Sequence, residues 1–187
     1  MALLTVVIPA YNEQATIGEL LRRVGEAPYD KHIIVVDDAS TDATPRILSA
    51  SGCQVIRHST NLGKGAAIRS GLTHANSRFT IVQDADLEYD PQDYPKLIEP
   101  LLRGADAVYG SRYLERNRTG AWTNRVGVSV LNLAVRLLYG ARLTDEATCY
   151  KAFPTAVLRA MDLQCERFEF CPEVTAKALR MGLRITE

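Results

Sequence analysis

The stretch FTIVQDADLEYDP, residues 79–91, joins an apolar run to a row of carboxylates, Asp84, Asp86, Glu88 and Asp90. Asp93 lies just beyond, and no Lys or Arg is mixed in. FTIV has the continuous, partly β-branched character of a strand buried on both faces. Residues 79–86 are therefore expected to form a core strand that runs out into negative charge. Whether that charge is a solvated turn or a ligand site depends on what the fold brings to the same edge.

Working outward, the same kind of run recurs. Strands are expected at 3–8, ended by Pro9, and at 32–38, 53–58 and 105–113. Between them lie helical patterns. Residues 12–25 carry Ile17, Leu20, Leu21 and Val24 on one face. Residues 41–50 have Thr41 or Asp42 placed as a cap and Pro45 in the first turn. Residues 63–75 and the stretch PQDYPKLIEPLL complete the set. This alternation predicts the α/β class, a mostly parallel sheet with helices on both faces. Ligands of such sheets bind beyond the carboxyl ends of the strands. Pro9-Ala10-Tyr11, Asp37-Asp38, Asp84-Asp86 and Gly110-Ser111-Arg112 each stand at such an end, so the four should gather along one edge.

Beyond Arg112 the pattern changes. ERNRTG (115–120) reads as a polar loop, and 122–140 as a helix apolar over most of its circumference, interrupted by Arg125, Asn132 and Arg136. It is either a core helix or one lying at a membrane surface with its arginines on lipid phosphates. TDEATCYKAF (144–153) reads as a loop entering a strand. PTAVLRAMDL and CPEVTAKALRMG follow as two helices, the second stopped by Gly182.

Length and composition suit a single domain over 1–187. The 22 basic and 22 acidic residues balance, so nothing calls for a nucleic-acid partner. Charge is nevertheless segregated: residues 111–151 hold seven basic and three acidic side chains, a positive segment facing the acidic stretch before it. Four cysteines without a C-x-x-C pair suggest reduced thiols in a cytoplasmic protein. The opening MALLTVVIPAYNE lacks the basic region of a signal peptide, and no run reaches the roughly 20 apolar residues of a membrane span.

Asp84 and Asp86, two apart at a strand end, would point the same way in extended backbone and reach one ion. Hard oxygen ligands suit Mg²⁺ or Mn²⁺, whose open positions phosphate oxygens can fill; an acidic turn is the alternative. In DDASTD (37–42) one carboxylate can pack while the other faces a nucleobase or ribose. NLGKGAAIRSG (61–71) lacks phosphate-loop spacing, so Gly63 and Gly65 read as a tight turn into a helix. Lys64 is its one side chain with a phosphate in reach. No G-x-G-x-x-G follows the first strand, which weighs against a dinucleotide site. His32, His58 and His74 have no nucleophile beside them and read as structural or surface residues.

Taken together and in order, VVIPAYNE (6–13), VVDDASTD (35–42), NLGKGAAIRSG (61–71), QDADLEYDP (83–91), GSRY (110–113) and TDEATCYKAF (144–153) resemble the family-2 glycosyltransferases of the GT-A fold. Within that family the chain is similar to the polyprenyl-phosphate group, typified by dolichyl-phosphate mannosyltransferase. The resemblance implies that Pro9, Ala10, Tyr11 and Glu13 line the nucleotide pocket with Asp38 on the base. Asp84 and Asp86 would hold the divalent ion on the donor diphosphate, with Glu88 an additional ligand. Arg112 would meet a donor or acceptor phosphate, and Arg125 likewise. Asp145 would stand near the transferred sugar, which makes Asp86, Arg112 and Asp145 the catalytic set. The reaction implied is inverting, in-line transfer of a hexose from a GDP-mannose or UDP-glucose type of donor to a polyprenyl phosphate at the cytoplasmic face of a membrane. A glycan, cell-wall polymer or small phosphorylated acid is the alternative acceptor, and a non-catalytic nucleotide-binding module the alternative role. Thr148-Cys149-Tyr150-Lys151 departs from the family's usual T-S-G-F, so mannose is not implied. The chain also stops at RITE, where relatives continue, as a truncated or short form would.

Overall fold

The computed structural model describes residues 2–114 and 122–187, and the side chains of all but 122–125 among them. The expected loop 115–120 lies outside the described residues, as does the side chain of Arg125. Among the described residues one sheet of seven strands runs β3-β2-β1-β4-β6-β5-β7. These are β1 (Leu4–Ala10), β2 (Lys31–Asp37), β3 (Gln54–Arg57), β4 (Phe79–Val82), β5 (Ala107–Tyr109), β6 (Lys151–Pro154) and β7 (Ile185–Thr186). The helices are α1 (Ile17–Glu26), α2 (Thr44–Ser49), α3 (Lys64–His74), α4 (Tyr94–Leu102), α5 (Trp122–Tyr139), α6 (Thr155–Ala160) and α7 (Phe170–Arg180), with a 3₁₀ turn at Pro91–Asp93.

Strands β3, β2, β1 and β4 pair in parallel, as do β5 and β7, whereas β6 is antiparallel to both β4 and β5. The α/β reading holds, with one exception: β6 arrives from 40 residues later in the chain and separates β4 from β5. Both faces of β1 are covered because alternate side chains point to opposite sides. Leu4, Val6 and Ile8 pack with Ile17, Leu20 and Val24 of α1 and Leu97 and Ile98 of α4. Val7 and Val82 pack on the other side with Ile68 and Leu72 of α3 and Phe170 and Val174 of α7. Gly71 lets α3 lie flat on the sheet, since a Cβ there would fall 2.5 Å from Val7 Cγ1.

Several expected boundaries move: α1 starts at Ile17 instead of 12, β5 keeps only Ala107–Tyr109 of 105–113, and two further shifts bear on the site. Pro9 does not end the first strand but lies inside it, paired in register with Val36. Its missing N–H points toward β4, whose ladder with β1 stops at Val7↔Val82, so proline costs no bond there. β4 itself ends at Val82 instead of reaching residue 86. Beyond it the chain turns, with Leu87 in the left-handed region at φ 63°. The strands β1 and β4 therefore part immediately above Pro9 and Gln83. Because β1 has β2 on one flank and β4 on the other, this parting is the point where strand order reverses, the usual place for a ligand crevice.

The two alternatives for the 122–140 helix are also separated by the structure. Of the described side chains of α5, Val128 and Val135 are buried, while Val126, Val130, Leu133, Leu137 and Leu138 are exposed. It is an outward-facing apolar helix, not a core one. No helix among the described residues is long and apolar enough to cross a membrane.

Candidate active site

Pro9, Ala10, Tyr11, Glu13, Asp38, Asp84 and Asp86, all marked out in the sequence as nucleotide or metal contacts, line one cavity of about 390 Å³ at the β1/β4 divergence. Asn61, Gly63, Lys64, Arg167 and Phe168 complete its wall. Its rim is built by lacing the loop after β1 to the loop after β2. Asn12 N donates to Ser40 Oγ at 2.9 Å, Thr41 N to Asn12 Oδ1 at 2.8 Å, and Glu13 N to Thr44 Oγ1 at 2.8 Å. Asp42 closes the lacing: its carboxylate accepts from Gln14 N at 3.1 Å and from Thr44 N at 2.9 Å, although the N-cap of α2 is Ala43 and neither Thr41 nor Asp42 holds that position. Asn12 and Ala39 sit at φ 57° and 63° in these loops. Such conformations persist only where the surroundings over-determine them, and they concentrate at ligand sites.

Asp37 and Asp38 divide as expected. Asp37 is buried, accepting from Ser40 N at 2.9 Å and lying 3.3 Å from Arg57 Nε. Asp38 faces the cavity, but most of its capacity is already used. Its Oδ1 meets His58 Nδ1 at 2.7 Å and accepts from Leu62 N at 2.9 Å, and its Oδ2 accepts from Gly63 N at 2.7 Å. A carboxylate offers about four lone-pair sites, so one Oδ2 position is left for a ligand. His58, whose Nε2 meets Ser70 Oγ at 2.8 Å, is the structural histidine that braces this arrangement.

The turn into α3 is a backbone junction. Gly63 has φ 98°, and a Cβ on Gly65 would lie 2.8 Å from Cys165 O. Gly65 N and Ala66 N donate to Arg167 O and Glu166 O at 2.8 and 2.9 Å. The first amides of α3 are thus spent on the 165–167 segment and are not offered to a phosphate. Lys64 is the group that remains. Its Nζ lies 2.7 Å from Asp84 Oδ1 and 3.0 Å from Cys149 Sγ. Burial alone would lower its pKa, but the adjoining Asp84 carboxylate more than reverses that, and Lys64 stays charged.

Asp84 and Asp86 do not lie on an extended strand, so the alternation argument for their shared direction does not apply. The turn brings both to the cavity wall instead, and Glu88 N donates to Asp86 Oδ1 at 3.0 Å to fix it. Tyr89, Tyr94 and Tyr150 anchor the turn from below. Tyr89 and Tyr150 stack at 4.8 Å, Tyr94 donates to Gln83 Oε1 at 3.2 Å, and Tyr150 donates to Asp90 O at 2.8 Å. Burial pushes the Tyr89 and Tyr94 phenols up, which keeps both protonated; the Tyr89 hydroxyl itself accepts from Thr148 Oγ1 and Cys149 N.

The expected third metal ligand is displaced. Glu88 points to Arg112, 3.1 Å from Nη1, and no group of three or more His, Cys, Asp or Glu is poised for a metal among the described residues. Two carboxylates still fit a hard divalent ion of the Mg²⁺ type, which keeps most of its sphere for water and phosphate oxygens. Arg112 and Asp145 form a second cluster that is not on the cavity wall. The fully buried Asp145 carboxylate accepts from Arg112 N, Nε and Nη2 at 3.0, 2.8 and 3.0 Å. Opposite charge and hydrogen bonding raise the Arg112 pKa further, and two of its five N–H donors remain uncommitted.

The sequence reading overlooked Asn61, Arg167 and Phe168. The last two precede α7 in a segment without a motif, and only the bare exposure of Phe168, 83 %, distinguishes it once folded.

Comparison with known proteins places this geometry. Residues 5–165 match the family described as Glycosyl transferase family 2. An uncharacterized protein of Methanocaldococcus jannaschii is 34 % identical over 97 % of this chain and 78 % of its own length. The undecaprenyl-phosphate 4-deoxy-4-formamido-L-arabinose transferase of Pseudomonas paraeruginosa is 34 % identical over 91 % of this chain, which spans about half, 52 %, of that protein. Among solved structures, glucosyl-3-phosphoglycerate synthase from Mycobacterium tuberculosis, in complex with Mn²⁺, UDP-glucose and phosphoglyceric acid, superposes with a TM-score of 0.78. It is 26 % identical, covering 99 % of this chain and 68 % of that one. With the family match spanning residues 5–165 and the D-x-D turn standing at the strand-order reversal, the chain belongs to glycosyl transferase family 2.

Proposed function

We propose that the chain is an inverting hexosyltransferase that takes a sugar from a nucleoside-diphosphate donor and passes it to a polyprenyl phosphate. The observation that carries this reading is the single cavity at the β1/β4 divergence, where two carboxylates, Lys64 and the Tyr11–Glu13 loop converge. The nucleoside lies along Pro9, Ala10 and Tyr11, with the free Oδ2 position of Asp38 accepting from the base. The diphosphate lies at the mouth, over Asp84, Asp86 and Lys64. Asp84 and Asp86 would hold Mg²⁺ or Mn²⁺, which when bound offsets the charge that builds on the departing diphosphate. Lys64 supplies a second positive charge at the same place and is released from Asp84 to do so. An acceptor phosphate oxygen is already anionic and needs no general base. What it needs is a positive approach, and the two uncommitted donors of Arg112 provide one. Asp145 holds that guanidinium in place.

The acceptor assignment draws support from α5. Val126, Val130, Leu133 and Leu137 repeat at helical spacing, all more than half exposed, with Arg136 exposed near the helix end. An apolar stripe with a cationic end suits the interface of an anionic membrane. A small phosphorylated acid is the second reading, favoured by the likeness to a phosphoglycerate-glycosylating enzyme.

The test is transfer from UDP-glucose and GDP-mannose, with and without Mn²⁺, to an undecaprenyl phosphate in detergent and to phosphoglyceric acid. Metal-dependent transfer to the lipid that Asp86→Ala abolishes is the expected result. Transfer only to phosphoglyceric acid selects the second reading, and nucleotide binding without transfer to either acceptor refutes the catalytic one.

A further inference from the structure

A second cavity, of about 300 Å³, opens between α5, the loop before β6 and the start of α7, and it meets the nucleotide cavity at Lys64 and Phe168. Two of the four cysteines line it. Cys149, half-buried, lies in the loop before β6, and Cys171, 8 % exposed, in the first turn of α7. Their sulfurs are 3.6 Å apart although 22 positions separate them in the chain. A bridge would bring them to about 2.05 Å, an approach of about 1.5 Å that side-chain rotation can supply. The Cys149 backbone is held on both sides, its N donating to Tyr89 Oη at 3.3 Å and its O accepting from Lys151 N at 2.8 Å. Cys149 Sγ also accepts from Lys64 Nζ at 3.0 Å, the same ammonium that lies 2.7 Å from Asp84 Oδ1. One sulfur of the pair therefore touches the lysine at the mouth of the nucleotide cavity. Cys165, equally buried, is the contrast: burial first, then Glu173, pushes its thiol up to about 12. In the pair, the Cys149 hydrogen bond, and after it the charges of Lys151 and Lys64, lower the Cys171 thiol against the effect of burial. A thiol so placed supplies the thiolate on which oxidants act.

We propose that Cys149 and Cys171 form a dithiol site that a small hydroperoxide oxidises to a disulfide, and that closing this bridge unmoors Lys64 and weakens the diphosphate end of the donor cavity. With hydrogen peroxide as the oxidant, one thiolate attacks a peroxide oxygen, the O–O bond breaks, and water departs to leave a sulfenic acid. The second sulfur then displaces that hydroxyl as a second water as the S–S bond forms. Two thiols give up two electrons in all, and one peroxide becomes two waters. Contact between the sulfurs is what directs this outcome, because a sulfenic acid with a thiol beside it condenses before it is oxidised further. The cavity gives a small oxidant its access, since both cysteines stand on its wall. The effect on Lys64 rests on the nucleotide-sugar reading given above. With a metal on Asp84, Lys64 gives up that carboxylate, and Cys149 Sγ is the contact that still places its ammonium at the diphosphate. A sulfur drawn toward Cys171 withdraws that contact.

The test treats the whole chain with hydrogen peroxide, alkylates the remaining thiols and maps the peptides by mass. UDP and GDP affinities in Mn²⁺ are then measured for the reduced, oxidised and re-reduced protein. The wild type should yield a Cys149–Cys171 peptide pair short of two hydrogens, at doses that leave Cys53 and Cys165 free to be alkylated, and a phosphine reductant should undo it. The oxidised form should bind the diphosphates at least fivefold more weakly and recover fully on reduction. Cys171→Ala, which cannot close the bridge, should match the reduced wild type within twofold and keep its affinity at the same peroxide dose. No bridge, a bridge through Cys53 or Cys165, or sulfinic acid in place of a bridge overturns the dithiol site, and the wild type alone decides this. A bridge that leaves affinity unchanged, or an equal loss in Cys171→Ala, overturns the link to Lys64 and leaves the nucleotide reading standing. A reduced chain that binds neither diphosphate brings down the nucleotide reading and that link together, while the mapped bridge still decides the dithiol site.

Discussion

The Arg112–Asp145 pair makes an asymmetric prediction about stability. Asp145 is fully buried and takes three N–H bonds from one residue, two from the guanidinium and one from its own backbone amide. Arg112→Ala leaves the carboxylate with that amide alone. Removing one partner of a buried pair costs about 3–5 kcal/mol; with the Arg112 side chain 20 % exposed, the lower figure applies. At about 2–4 °C per kcal/mol for a domain of this size, the melting temperature should fall by about 6–12 °C. Asp145→Asn is milder, about 1–2 kcal/mol. The amide oxygen still accepts from Arg112 N and Nε, while the Nη2 bond to Oδ1 is lost because an amide nitrogen cannot accept, and the guanidinium keeps water and Glu88. Arg112→Lys should fall between them, since an ammonium cannot reproduce the two-pronged contact. Urea unfolding of the three variants decides the matter. If Asp145→Asn proves costlier than Arg112→Ala, or all three lie within about 0.5 kcal/mol of wild type, then the carboxylate is not held by the guanidinium and the reasoning fails.

Other expectations follow from single contacts. Burial alone would raise the Glu173 pKa, but Lys177 and the amides of Gln164 and Cys165 bring it down to about 2 from 4.5. Its contribution to stability is therefore complete above pH 4.5 and lost as pH falls toward 2, and Glu173→Gln should flatten that acid limb in a pH series of melting curves. Gly71→Ala would press a methyl against Val7 Cγ1 at 2.5 Å and Val36 Cγ2 at 3.3 Å, at a cost of about 1–3 kcal/mol. Gly127→Ala on α5, with nothing within 4 Å, should instead gain up to about 1 kcal/mol from helix propensity; calorimetry on the two gives opposite signs. Leu133→Glu with Leu137→Glu should abolish sedimentation with anionic vesicles and leave the melting temperature unchanged, because both side chains are exposed; retained sedimentation would remove the membrane role of α5.

What was legible in the chain was what local pattern carries. The runs that became β1, β2 and β4 are apolar on both faces, and that composition admits few alternatives. The carboxylates at 84 and 86 stand out because they interrupt such a run. The illegible parts depend on encounters between distant segments. That Glu88 would turn to Arg112 instead of to the metal position, or that Lys64 would lie on Asp84, is decided by loops 20 or more residues apart. The place of β6 is a similar case, since Lys151–Pro154 is only 4 residues long and its direction is set by the space left between β4 and β5. Phe168 carried no signal because an exposed aromatic in a loop has no periodicity to violate. The core reading of α5 was ambiguous because apolar width alone does not say whether protein or lipid covers a helix.

The antiparallel β6 has a consequence for the order in which the molecule can be made. Strands β3, β2, β1 and β4 are neighbours drawn from the first 82 residues, so this half-sheet can form while the remainder is still being synthesised. β5 has no partner in that half. Its edges are reserved for β6 and β7, and β6 follows it by about 40 residues, a delay of roughly 2–8 s at the usual rate of about 5–20 residues per second. During that interval the Ala107–Tyr109 segment and the β4 edge both wait open. Premature pairing of one with the other, in the parallel sense that the neighbouring strands already set, is the misfolding route this topology exposes, and the nascent chain is the place to look for a bound chaperone.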